Sequence, residues 1–156
     1  MHGGKETIDS YEGFTVDEKN EHLTFFENMK MYHLDAENRL FLHAGFTSMH
    51  GVERETYPHK FCTDRTLWEM ALAMDHKIEK SSVSYPKRLQ HYSEIYIGHT
   101  PTTNYDEITP MNAINIWNVD TGAAFKGKIT AMNIDTKAYF QSNVLPELYP
   151  NEKGRN

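Results

Sequence analysis

The sequence predicts an α/β chain, or an α+β one, built around a substantial sheet. Three observations carry this reading. Helix-period apolar spacing dominates the first half, and two-residue alternation dominates the second. Two short apolar runs also end in a histidine flanked by small residues. The 156 residues amount to about one domain. The expectation is a single domain over residues 1–150 and a frayed tail over 151–156.

Thr15-Val16-Asp17-Glu18 has the spacing of a capping box, in which hydroxyl and carboxylate satisfy each other's free backbone N–H groups. Leu23, Phe26 and Met29 follow at intervals of three, predicting a helix over about 16–30 with one apolar stripe. Met31–Leu34 and Arg39–His43 flank the turn-like Asp35-Ala36-Glu37-Asn38 and read as a hairpin. Residues 46–62 show no period and read as loop. Thr63 is placed to cap a second helix with a buried face of Leu67, Met70, Ala71, Met74 and Ile78. Residues 80–86 read as an exposed connector. Glu94–Gly98 reads as a strand ending in glycine. Ile114–Val119, Ile129–Ile134 and Ala138–Gln141 alternate and predict a meander.

Charge and composition exclude several classes. Sixteen Lys and Arg against 22 Asp and Glu leave a net charge of −6, which opposes the basic face that nucleic acids require. No run approaches the ~18 apolar residues of a membrane span. Met1–Glu6 lacks the apolar stretch of a signal peptide. Cys62 is the only cysteine, so there is no intrachain disulfide and no thiolate zinc cluster. A cytoplasmic protein bound to neither nucleic acid nor membrane is expected.

Nine histidines remain as the feature able to carry chemistry. His43 ends Leu40-Phe41-Leu42 and precedes Ala44-Gly45; His99 follows Ile95-Tyr96-Ile97-Gly98 and precedes Thr100-Pro101. Ligating and catalytic groups collect at such strand ends, because the sheet holds the backbone while the loop frees the side chain. Two neutral imidazoles on neighbouring strand ends can grip one metal ion from one side. Taken singly, each histidine reads first as a strand-end residue bonded to backbone. His50 and His59 flank the loop and are weaker candidates for substrate contact; His22 falls on the polar side of the first helix, His33 in the hairpin and His76 near the end of the second helix, with no chemical role expected.

The order strand-His43-Ala44-Gly45, helix with Leu67-Trp68, strand-Gly98-His99-Thr100-Pro101, then Asp120-Thr121-Gly122-Ala123 resembles the calcineurin-like metallophosphoesterases. Within them it is most similar to the bacterial serine/threonine protein phosphatase type, with the symmetrical diadenosine-tetraphosphate hydrolases nearby. The match covers about residues 39–135. The resemblance implies a β-sandwich flanked by helices and a dinuclear centre of divalent ions (Mn, Fe or Zn), with His43 and His99 as second-metal ligands. The implied substrate is a phosphorylated protein, a small phosphoester or a dinucleotide.

The family's Gly-Asp-x-His-Gly, Gly-Asp-x-x-Asp and Gly-Asn-His motifs do not occur in this chain. Gly3–Tyr11 is similar to the segment that follows the last of them. The resemblance therefore implies the C-terminal portion of the domain, with its front part and catalytic histidine outside and Met1 an internal methionine. Such a portion is expected to be impaired alone. Asp64, Asp75, Asp106 and Asp120 are the carboxylates available as replacement ligands. The family's Leu-Trp-x-Arg arginine is replaced by Met70, leaving Arg65 as the candidate phosphate-binding residue. Two other readings stand beside this one. The chain can be a non-catalytic module that self-associates through an exposed sheet edge, or an intact one-metal hydrolase.

Overall fold

Lys5–Ser10 and Val16–Glu27 form helices α1 and α2 in the computed structural model, which describes residues 4–151. They belong to the first of two units, residues 1–30 and 31–156. The capping box forms as expected: Glu18 N donates to Thr15 Oγ1 at 3.3 Å, and Thr15 N donates to Glu18 Oε2 at 2.8 Å. The Thr15 N–H bond foremost, and a second from the Thr15 hydroxyl to Glu18 Oε2 at 2.7 Å, hold the Glu18 carboxyl below its ordinary range. The predicted apolar stripe is corrected, since no residue of α1 or α2 is buried. Leu23, Phe26 and Met29 are 57%, 59% and 57% exposed.

The second unit opens with the predicted hairpin, β1 (Tyr32–Leu34) against β2 (Arg39–Leu42). Asp35 shapes its turn by accepting from the backbone N–H groups of Glu37 and Arg39. Three helices follow, α3 (Lys60–Thr63), α4 (Thr66–Ala73) and α5 (Lys87–Gln90), then β3 (Glu94–Ile97). β4 (Met111–Ala113) and β5 (Ile116–Asn118) form a tight hairpin in which Ile114 is left-handed, with φ 58°. β6 (Thr130–Met132), β7 (Tyr139–Gln141) and α6 (Leu145–Leu148) follow, and short 3-10 turns lie at Val52–Arg54 and Thr102–Tyr105.

The chain is thus α/β, with a five-stranded mixed sheet in the order β1-β2-β3-β5-β4 and a two-stranded sheet of β6 and β7. β2, β3 and β5 run parallel in the centre. The inward residues Leu40, Ile95, Ile97 and Ile116 are 0–2% exposed and pack with Leu67, Trp68 and Ala71 of α4, Phe46 and Leu89. On the opposite face Phe41, Tyr96 and Trp117 stand in register across the three parallel strands. Phe41 and Tyr96 stack with centroids 4.9 Å apart. Lys137 lies over both Tyr96 and Trp117 and is paired with Glu94 at 2.7 Å.

Four sequence expectations are corrected here. α4 ends at Ala73 because Met74 turns extended, so Met74 and Ile78 lie beyond the helix, and Asp75 accepts from Lys77 N in a turn. Thr63 does not cap it, since its hydroxyl donates to His59 O. The 80–86 connector carries a buried Tyr85 and leads into α5. The three-strand meander does not form: β5 is claimed by the main sheet, and of the three predicted strands β6 and β7 alone pair with each other. Of the expected frayed tail, residues 152–156 lie outside the described residues.

Candidate functional site

His43 leaves the end of β2, and His99 leaves the end of β3 one residue later in register. The two strands are parallel neighbours, pairing Leu40 with Ile95 and Phe41 with Tyr96. The ladder continues past both strands, where Gly98 N donates to His43 O at 2.9 Å. His99 is left-handed, with φ 68°, an uncommon conformation for a residue bearing Cβ. His43 Nε2 and His99 Nδ1 stand 3.1 Å apart, with the rings tilted at 60°. His43 is exposed and His99 half-buried.

The small residues beside them answer to close packing. A Cβ on Gly45 would lie 2.6 Å from Asp64 Oδ2 and 3.0 Å from Leu67 Cβ. On Gly98 it would meet Asp120 Cβ at 3.3 Å and His43 O at 3.6 Å. Asp120 follows β5, the next parallel strand, so three adjacent strand ends converge here. Its carboxylate is engaged in the turn it begins, where Oδ1 accepts from Gly122 N at 3.0 Å.

Asp64 is buried, accepting from Leu67 N at 3.1 Å and from the Thr66 hydroxyl at 2.8 Å. It therefore serves the first turn of α4, a role that suits its place in the sequence. Arg65 is exposed at the residue before α4, outside the helix proper. The contact of Asp64 with Gly45 brings Arg65's backbone to the loop that leaves His43. Asp75 and Asp106 are exposed and belong to turns elsewhere in the chain.

Two supporting residues escaped the sequence reading. Arg88, 7% exposed, donates to Phe46 O and Thr66 O, both at 3.0 Å. It ties the loop after His43 to the start of α4. Burial pulls its guanidinium below the ordinary arginine range, and Asp64 partly offsets this. Glu55 accepts from the backbone N–H groups of Thr47, Ser48 and Tyr57. Burial pushes its carboxyl up, but these bonds outweigh burial and hold it below the usual range. A lone arginine just past a polar connector and a glutamate in a loop carry no periodic signal.

The other described histidines have contacts of their own or are exposed. His22 bonds Tyr11 Oη at 2.9 Å, and His33 packs its ring 6.0 Å from Phe41. His50, His59 and His76 are exposed, and His91 bonds Met49 O at 2.9 Å.

Two nitrogens each ~2.1 Å from one ion stand about 3.0 Å apart at a right angle and about 3.4 Å apart at the tetrahedral angle. The observed 3.1 Å is the length of a hydrogen bond between the two rings, and it falls within the same interval, so the spacing also suits two adjacent positions on a single ion. Among the described residues, no group of three or more His, Cys, Asp or Glu is arranged to hold a metal. The pair therefore fits part of a metal site, and a complete dinuclear donor set is not assembled from these residues. No helix among the described residues is long and apolar enough to cross a membrane. No protein-family model matches the chain, and no curated protein matches it either.

Proposed function

We propose that the chain carries part of the metal site of a phosphoric-ester hydrolase, of the serine/threonine-phosphatase or diadenosine-tetraphosphatase kind, with His43 and His99 as two ligands of one divalent ion. The observation that carries this reading is the 3.1 Å separation of His43 Nε2 and His99 Nδ1 at the ends of parallel strands. A divalent ion held there supplies Lewis-acid polarisation of a phosphoryl oxygen. The chain's own contribution is to aim two imidazoles from the ends of two central strands and to present Arg65 beside the His43 loop for the phosphate. The motif resemblance adds the finer reading, a portion of a metallophosphoesterase β-sandwich whose other ligands and catalytic histidine lie outside it, in a cytoplasmic setting.

Calorimetric titration with manganese or zinc tests this. Weak binding by the wild type, lost in His43→Ala and His99→Ala, is the expected result, with little or no turnover of p-nitrophenyl phosphate. A wild type that binds neither ion overturns the reading. Robust manganese-dependent turnover lost in His43→Ala would overturn only its partial character.

A second reading is a non-catalytic module that self-associates through a sheet edge. It is favoured by the two-stranded β6–β7 sheet, where Phe140 on β7 is 79% exposed and Ile129, just before β6, is 59% exposed. Light scattering that finds a monomer at every concentration removes it.

A further inference from the structure

A cavity of about 390 Å³ opens between the loop after His99, the turn after Asp120 and the segment after β7. Its apolar wall is Ile108, Phe125 and Val144, and its polar lining includes Lys126 and Lys128. We propose that this cavity binds a small organic anion. The apolar body lies against Ile108, Phe125 and Val144, and the charged head meets the two lysines.

Volume, exposure and charge support this separately. The volume lies within the ~300–1,000 Å³ of ordinary ligand pockets, which join apolar walls to a few placed polar groups. Ile108 and Phe125 leave 55% and 41% of their surface exposed, so covering them is favourable. Neither lysine forms an ion pair with another described residue, although acidic groups outnumber basic ones by 22 to 16. The walls are braced: Thr102 N donates to Asp120 O at 2.8 Å, Gln141 Nε2 to Ile108 O at 2.6 Å, and Leu145 N to Gly127 O at 3.0 Å. The cavity is thus held by bonds between the segments that line it, before any ligand arrives.

The proposal stands apart from the phosphoester reading, so its test uses metal-free protein in chelator. Heteronuclear NMR titrations compare phenyl phosphate, phenylpropionate, phenylpropanol and inorganic phosphate. The two aromatic anions are expected to shift the Phe125–Lys128 and Val144 amides saturably, and the tighter of them identifies the preferred head group. The neutral alcohol and inorganic phosphate are expected to bind at least about tenfold more weakly, the value of one charge-assisted contact. Lys126→Ala with Lys128→Ala should weaken the anions by about the same factor and leave the alcohol unchanged. Equal binding of phenylpropanol, equal binding of inorganic phosphate, or no saturable shift with any probe overturns the proposal.

Discussion

The carboxylate of Asp64 occupies the space that a side chain on residue 45 would need, 2.6 Å from the position of a Cβ on Gly45. Through this contact the turn bearing Arg65 is locked to the loop bearing His43. The Asp64 carboxylate cannot swing aside without losing Leu67 N and the Thr66 hydroxyl, so the glycine is a packing requirement of the site's support.

Gly45→Ala should therefore destabilise the chain by about 2 kcal/mol, the usual cost of one overpacked methyl in a tight site. Urea unfolding gives the number. A variant as stable as the wild type would mean that the Asp64 contact yields easily. A partial recovery in Gly45→Ala combined with Asp64→Ala would locate the strain in that carboxylate.

Arg88→Met should cost about 3 kcal/mol, because Phe46 O and Thr66 O lose charged donors inside the protein. Arg88→Lys should recover part of this, since one ammonium can reach only part of what the guanidinium fork spans. Thermal or urea unfolding ranks the three proteins. Identical stability of the Met variant and the wild type would show that the buried cation contributes nothing net.

Glu55 carries a pH dependence whose sign follows from its lowered folded pKa. Its stabilisation is fully present above the ordinary carboxylate range and disappears as pH falls through the folded value. Glu55→Gln should be about 1 kcal/mol less stable than the wild type at neutral pH. The gap should close below about pH 4.5, where the unfolded carboxyl begins to hold its proton. A gap that stays constant down to pH 3 would assign the loss to geometry instead of charge.

His43→Ala and His99→Ala should each lower zinc or manganese affinity by more than about a hundredfold, since the loss of a mere second-layer partner already costs 10–100-fold. His43 is exposed, so His43→Ala should leave the unfolding midpoint within the small range of ordinary surface changes. Calorimetry and urea unfolding on the same preparations separate the two effects. Affinity unchanged in both variants would remove the pair from metal binding.

Much of the candidate site was legible because its signals are local. Leu40-Phe41-Leu42 and Ile95-Tyr96-Ile97 announce buried strands, and a histidine beside glycine or alanine marks where each strand ends. The capping box at Thr15 and the turn at Asp35–Asn38 are also short-range chemistry, and both formed as expected. The hairpin partner of β5 was not legible: Met111-Asn112-Ala113 is short and weakly alternating, and Ile114 in a left-handed turn contradicts its own preference. The apolar stripe of α2 shows the opposite failure, a correct helical period with no buried face behind it.

The sequence alone determined that His43 and His99 follow buried strands, that Thr15 caps a helix, that Asp35–Asn38 turns, and that a periodic helix carries Leu67, Met70 and Ala71. It did so because those choices depend on side chains a few positions apart. Only the tertiary structure decided that β2 and β3 lie side by side in parallel. That pairing turns two histidines 56 positions apart into a pair of nitrogens 3.1 Å apart. It also decided that Arg88, Asp64 and Glu55 brace the loop between them. Strand order and register are set by long-range packing of Leu40, Ile95 and Ile116 on α4, and no local pattern encodes which strand will be the neighbour.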